Sequence, residues 1–422
     1  MSETTENKIV VFHASAGSGH KTAAFAIEEA LRSVIKDKKF QMAHKIKIPK
    51  DVKVEVLDVF DFCKFYIDGN QTVSMFTGAT RPFYDLTWRF TLTGRLLWGG
   101  GSIPSRLFFK KFNDYIDENK PLAVIATHIC AANVALGAKM IKKQTFPLIN
   151  VPTDYASEGL WPNLLSDLVC VGTNEMAEAL KPRMIPESKI KVTGIPVSSK
   201  FKRRYSKKKI LEKYNLPEGK RLVLALCGAH LPAPYRHLRQ SILNSIPYLD
   251  KIDDFHLVII AGNDEEFIAE VNKAINICQT PSVTATGFVD NLAELMSVCE
   301  LVLCKPGGLI VSECLSQNIP MLLVGRAYGQ ENVNARMLTS TGAAMQVTTW
   351  REMVNKIRFL LEDKNRLKGL KNNSSYIRKP NAAIDIAKHT FDLIEKYEKE
   401  PPSPVQQRLL HFYIGSAPTH KR

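Results

Sequence analysis

None of the eight cysteines of this 422-residue chain stands in a Cys-x-x-Cys pair, and their spacing follows no period. That argues against a disulfide framework or a zinc site and leaves the thiols as small apolar core residues. No Asp-x-Asp occurs, so the paired carboxylates that hold a divalent ion against a diphosphate are missing and no metal is expected. Runs of eighteen apolar residues are absent and Met1 to Asn7 is polar. The expectation is a cytoplasmic protein with neither a signal peptide nor a spanning helix. Zinc fingers, basic zippers and aromatic ribonucleoprotein motifs are lacking, which speaks against nucleic acid as a partner. There is no internal repeat or low-complexity tract. Acid is scarce relative to base, with 42 Asp and Glu against 57 Lys and Arg and a formal charge of +15.

Two strand-loop-helix signatures are present instead. Near the amino terminus, Lys8-Ile9-Val10-Val11-Phe12 reads as a buried strand. It is followed by His13-Ala14-Ser15-Ala16-Gly17-Ser18-Gly19-His20, a glycine-rich turn into a helix. In the second half, the apolar strand Leu301 to Leu303 leads into Cys304-Lys305-Pro306-Gly307-Gly308-Leu309-Ile310-Val311-Ser312-Glu313, and Gly329-Gln330-Glu331-Asn332-Val333-Asn334 follows. A glycine pair at a helix start lets backbone N–H groups approach a phosphate. Glu313 can accept hydrogen bonds from a ribose diol, Lys305 can neutralise phosphate charge, and Gln330, Glu331 and Asn334 suit sugar hydroxyls.

The order of these motifs, Ser-x-Gly-Ser-Gly-His and then Lys-Pro-Gly-Gly-x-x-x-Ser-Glu with Gly-Gln-Glu, resembles that of the monogalactosyldiacylglycerol synthases and the processive diacylglycerol glucosyltransferases. These are relatives of the lipid-linked N-acetylglucosaminyltransferase of peptidoglycan assembly. The likeness runs from about Lys8 to about Lys396 and takes in Thr153-Asp154, Gly194-Ile195-Pro196 and Ala261-Gly262-Asn263. It implies the α/β GT-B fold, two Rossmann-like domains facing across a cleft. Strand and helix alternation supports two such domains on its own. Residues 1–196 form the acceptor and membrane side, 197–209 a basic linker and 210–380 the donor domain. A helix over 381–400 crosses back, by resemblance, and 401–422 is a loosely held tail.

The family pattern assigns the remaining candidates. Gly262 and Asn263 lie near a uridine, and Gly287-Phe288-Val289-Asp290 presents backbone to the uracil edge with Phe288 beside the ring; Phe288 as plain core residue is the competing reading. Gly228 is the one glycine kept in a usable place in Cys227-Gly228-Ala229-His230-Leu231-Pro232, where the family has a glycine-richer turn. This departure leaves the role of His230 and the choice of glucose or galactose open. Gly307, Gly308 and Leu309 hold the diphosphate. Gly17, Ser18 and Gly19, with Phe83, Trp88 and Trp98, fall on the acceptor and membrane side. The aromatic and cationic segment Phe62 to Lys111 suits a bilayer interface, although a core helix has the same periodicity.

His20 is the expected general base because imidazole titrates in the right range, with Asp154 positioning the acceptor or orienting His20. The expected reaction is transfer of a hexose from UDP-glucose or UDP-galactose to 1,2-diacylglycerol, with inversion. No cofactor is needed, since the UDP-sugar is itself a substrate, and anionic lipids are expected partners of the basic surface. A different lipid-linked acceptor such as an undecaprenyl-linked sugar, or a non-catalytic nucleotide-sugar or membrane-binding protein, remain alternatives. Nicotinamide binding is disfavoured because Gly17-Ser18-Gly19-His20-Lys21-Thr22 lacks the third glycine of Gly-x-Gly-x-x-Gly.

Overall fold

A computed structural model describes residues 7–65, 105, 107–155, 165–183, 185–228, 236–327 and 329–402. They form two compact units, Met1–Thr153 with Ser157–Pro196 and Asn381–Arg422, and Val197–Pro380 with Asp154–Ala156. Phe83, Trp88, Trp98 and His230, and the tail from residue 403, lie outside the described residues.

The first unit is built on a six-stranded sheet, β1 (Lys8–His13), β2 (Lys53–Asp58), β3 (Ala123–Ala126), β4 (Leu148–Asn150), β5 (Leu168–Val171) and β6 (Ile190–Val192), in the order β2-β1-β3-β4-β5-β6. All the pairings are parallel; Ile9 sits opposite Val54 on one side and Ala123 on the other. The near-continuous apolar runs have this cause, since a parallel sheet is covered on both faces. The period-two pleat sends Ile9, Val11 and Ile125 to one core, with Ile27 and Leu31 of the helix Ser18–Lys36 and Ile386 and Phe391 of the helix Ala382–Lys399. Val10, Phe12 and Val124 enter the opposite core with Phe112, Ile116 and Leu136. The helix over Ala382–Lys399 therefore returns to the first unit, packed on Ser18–Lys36.

The second unit repeats the plan with β7 (Arg221–Leu226), β8 (Phe255–Ile260), β9 (Val283–Thr286), β10 (Leu301–Cys304), β11 (Met321–Val324) and β12 (Ala344–Val347), ordered β12-β11-β10-β7-β8-β9 and again parallel throughout. Val223, Leu257, Leu303 and Leu322 pack against Ile242, Val271, Met353 and Ile357 from the covering helices.

One expectation is corrected. The segment 197–209 is not a free linker but part of the second unit, carrying a 3-10 turn (Ser199–Lys202) and the start of the helix Lys207–Lys213. The reason is apolar: Phe201, Ile210 and Leu211 are buried, while Lys200, Lys202, Arg203, Arg204, Lys207, Lys208 and Lys209 are exposed. The boundary between the units thus falls after Pro196, before the basic run.

The strand order defines where ligands bind. In the first sheet the chain runs outward from β1 on one side and from β3 on the other; in the second it does so from β7 and β10. At such a reversal the loops leaving the strands' carboxyl ends diverge and leave a crevice. The segments at the two crevices are Ala14–Gly17 and Thr127-His128 in the first unit, and Cys227-Gly228 and Lys305–Gly307 in the second.

Candidate functional site

In the second unit the helix Gly308–Gln317 starts at the β10 end of the crevice. Its N-cap Gly307 supplies no side-chain cap, and the first helical hydrogen bond is Val311 N–H to the Gly307 carbonyl at 3.0 Å. The N–H groups of the first turn are therefore available to an anion, with the positive end of the helix dipole behind them. A side chain on Gly307 would stand 3.5 Å from both the Glu331 carboxylate and the Lys305 ammonium. Those two groups are ion-paired with each other. Lys305 thus reaches the loop already balanced by Glu331, whose other oxygen, Oε2, is buried without a hydrogen-bond partner.

Glu313 lies one turn along the same helix, 7% exposed. Burial alone pushes its carboxyl up to about 8. A carboxyl this desolvated is poised for a ligand that brings its own donors. Ser312, beside it, donates to the Gly308 carbonyl at 2.7 Å and meets the Tyr155 hydroxyl at 2.7 Å.

Asn334 differs from its expected role. It is fully buried; its Oδ1 accepts from the Tyr155 N–H at 3.0 Å, and its Nδ2 donates to Asp154 Oδ1 at 2.9 Å and to the Pro306 carbonyl at 3.0 Å. Both amide protons are consumed inside the protein. Asn334 consequently braces the Lys305–Gly308 loop from behind and is not on a ligand-facing surface. Asp154 is held by that same brace. Gln330 and Leu309 are half-buried, and Gly308 is buried at the helix start.

The other wall of this crevice is made of glycine backbones. A Cβ on Gly228 would come 3.2 Å from the Gly262 nitrogen, and one on Gly287 would come 3.4 Å from the Gly262 carbonyl oxygen. Gly262 itself has φ 63°, a conformation that favours glycine. The loops after β7, β8 and β9 thereby close to van der Waals contact. Arg239 fastens the loops after β7 and β8, donating to the Cys227 carbonyl at 3.2 and 3.1 Å and pairing with Asp264. Asn263 is exposed and Val289 half-buried. Phe288 is 69% exposed, which removes the core reading and leaves an aromatic face in solvent at the end of β9.

In the first unit Gly17 caps the helix Ser18–Lys36 with φ 89° and no side-chain cap, and the first turn holds no acid. Ser18 is exposed and Gly19 half-buried. His20, on that first turn, sets its Nδ1 2.9 Å from the Thr127 carbonyl and 2.8 Å from the Thr153 hydroxyl. Thr127 Oγ1 donates back to the His20 carbonyl at 3.0 Å. The His128 ring stands against that of His20, centroids 4.5 Å apart at 78°. Burial holds His128 well below the ordinary imidazole range, with His20 and His13 adding to the effect. His13 is lowered too, chiefly by burial and against the pull of Asp58.

Thr127, His128, Tyr155 and Ser312 were not assigned roles from sequence. A signal existed for the first two, a polar pair directly after a buried strand, where parallel sheets place ligand-facing residues. Ser312 stood inside the second motif without a role. Among the described residues no group of three or more His, Cys, Asp or Glu is gathered as for a metal ion, and no helix is long and apolar enough to cross a membrane.

Comparison with solved structures defines the class first. UDP-GlcNAc 2-epimerase from Neisseria meningitidis, bound to UDP-GlcNAc, superposes with a TM-score of 0.59 at 14% identity, covering 91% of this chain and 100% of that one. Acinetobacter baumannii MurG gives 0.53 at 15% identity, covering 92% and 99%. The fold is GT-B. Sequence families narrow it: residues 20–197 match the monogalactosyldiacylglycerol (MGDG) synthase family and residues 227–389 the glycosyltransferase family 28 C-terminal domain. Processive diacylglycerol beta-glucosyltransferase of Bacillus thuringiensis (strain Al Hakam) is 26% identical over 407 residues, 93% of this chain and 95% of that protein. The same-named protein of Bacillus cytotoxicus is 26% identical over 391 residues, 90% and 92%. The chain thus carries a region similar to the MGDG synthases followed by one similar to the family 28 C-terminal domain, and it is a glycosyltransferase.

Proposed function

We propose that this glycosyltransferase moves a hexose from UDP-glucose or UDP-galactose to the free hydroxyl of 1,2-diacylglycerol, with inversion, at the inner face of the cell membrane. The observation that carries the reading is the end-to-end match to a processive diacylglycerol beta-glucosyltransferase, 95% of whose length is covered. The crevice of the second unit is consistent with it.

In this reading the uracil lies at Gly287–Val289 beside the exposed Phe288, and the ribose diol on Glu313. The diphosphate sits at the first turn of Gly308–Gln317, near the Lys305–Glu331 ion pair. As the bond between the anomeric carbon and the diphosphate oxygen breaks, its electron pair becomes charge on the diphosphate, which the helix N-terminus stabilises. The acceptor oxygen forms the new bond from the opposite side, which inverts the centre, and its proton passes to His20. That charge is met chiefly by the backbone N–H groups of the first turn, since Lys305 is shared with Glu331, and the reading calls for no metal.

Membrane contact draws on Phe65, Leu107 and Phe108, which are 58%, 59% and 40% exposed. Phe65 and Phe108 pair at 6.1 Å between centroids, and Lys64, Lys110 and Lys111 are exposed beside them. Rings and aliphatic groups rimmed by cations suit an anionic bilayer surface.

The test is purified protein with UDP-glucose or UDP-galactose and a panel of acceptors: diacylglycerol, its monoglycosylated product and an undecaprenyl-linked sugar, with products identified by mass. Glycosyl-diacylglycerol, formed equally well in excess chelator and lost by about a hundredfold in His20→Ala, is expected. Transfer only to the undecaprenyl-linked sugar, or no turnover with any acceptor, would refute the proposal.

A further inference from the structure

The surroundings of His20 decide which of its nitrogens can take a proton. A carbonyl oxygen has no hydrogen to give, so the 2.9 Å approach of Thr127 O to Nδ1 is attractive only if Nδ1 carries the hydrogen. With a bare Nδ1, two lone pairs would face each other at hydrogen-bond distance. The Thr153 hydroxyl, 2.8 Å away, then acts as a second acceptor of the same hydrogen. It turns its own proton elsewhere.

The frame around the ring is over-determined. Thr127 grips the residue twice, by its carbonyl at the ring and by its hydroxyl at the His20 carbonyl, tying the first turn of Ser18–Lys36 to the end of β3. Thr153 enters from the segment after β4, which lies beside β3 in the sheet. His128 closes the ring's flank. Its Nδ1 accepts the Cys130 N–H at 3.1 Å, which fixes its hydrogen on Nε2, and burial keeps the ring uncharged. A neutral edge therefore packs against His20.

We propose that Thr127 and Thr153 are positioning residues that lock His20 in its Nδ1–H tautomer, so that Nε2 carries the lone pair that receives the acceptor proton. The inference rests on reading His20 as the general base and adds which nitrogen acts and what selects it. An imidazole in solution prefers its Nε2–H form, which would leave the wrong nitrogen basic. The lock removes that state before substrate arrives.

The tautomer can be read directly on the full chain by ¹⁵N NMR of histidine-labelled protein above the imidazole titration, with His20 assigned by the signal lost in His20→Gln. The expected spectrum shows Nδ1 protonated and Nε2 unprotonated in the wild type, and a weakened but not abolished preference for that tautomer in Thr153→Val, where the Thr127 carbonyl acts alone. That variant keeps the side chain's size and removes its oxygen, so turnover should fall about tenfold, the scale of one hydrogen bond, while the donor KM changes less than twofold. Thr153→Ser should restore both turnover and tautomer, which a loss of packing alone would not allow. An Nε2–H wild-type spectrum overturns this inference alone. So does a Thr153→Val protein with native tautomer and native turnover. Full turnover in His20→Ala would overturn the base assignment itself, and this inference with it.

Discussion

Glu313→Gln is the substitution that most directly tests the donor side. The carboxyl is 7% exposed, and burial raises it from 4.5 to about 8. At pH 7 the unliganded protein therefore holds it mostly protonated, and a ribose diol that needs both oxygens as acceptors must first expel that proton. Each pH unit below 8 costs about 1.4 kcal/mol, so UDP-glucose affinity should rise about tenfold per unit from pH 6 to 8 and level off above. UDP-glucose is the probe because its diphosphate keeps the same two negative charges across that range. Glutamine should abolish the slope and, above pH 8, weaken binding by roughly 1.5 to 3 kcal/mol, the usual value of hydrogen bonds to a charged group. Calorimetry in two buffers of different ionisation enthalpy should show proton release with the wild type at pH 7 and none with the variant. Stability supplies a second readout. Because the folded value lies above the unfolded one, the wild type is relatively most stable below pH 4.5 and loses that advantage as pH rises through about 8. The whole effect is about 5 kcal/mol. The variant should lack this slope and resist urea better than the wild type at pH 9. Wild-type UDP-glucose affinity that is flat from pH 6 to 8 would refute the reasoning, as would the same urea slope in both proteins.

Two further outcomes are expected. Lys139 and Asp167 form a buried ion pair at 2.7 Å, side chains 1% and 4% exposed, with Asp167 also accepting the Leu148 N–H at 2.9 Å. Lys139→Ala leaves a buried carboxylate without its cation and should lower unfolding stability by roughly 3 to 5 kcal/mol; a loss under 1 kcal/mol in urea would show the pair to be dispensable. Replacing Phe65, Leu107 and Phe108 together by serine should sharply reduce binding to vesicles containing phosphatidylglycerol without changing the melting temperature, and wild-type binding should weaken with salt. Undiminished binding of the triple variant would move the membrane contact elsewhere, and the exposed cations of 200–209 would be the next surface to reverse in charge.

The sequence by itself determined the elements and their order. Strands such as Leu301–Cys304 and Ile190–Val192 are written in short apolar runs, and the glycine loops after β1 and β10 in residues whose backbone freedom is a local property. The GT-B plan followed, because alternating strand and helix leave few ways to cover a parallel sheet. What only the tertiary structure decided is what those loops meet. His20 and Thr153 are distant in the chain, and nothing local announces that the order β1-β3-β4 sets a carbonyl and a hydroxyl at one ring nitrogen. Phe288 reads alike as core or ligand contact until its exposure is known. Asn334 sits in a motif rich in ligand-facing groups yet turns inward to hold the Pro306 carbonyl. The run 197–209 has the charge of a linker, but the buried Phe201 within it and Ile210 and Leu211 just after it anchor it to the second unit. In each case the deciding quantity is burial or a contact between distant segments, which depends on long-range packing and has no periodicity to leave in the chain.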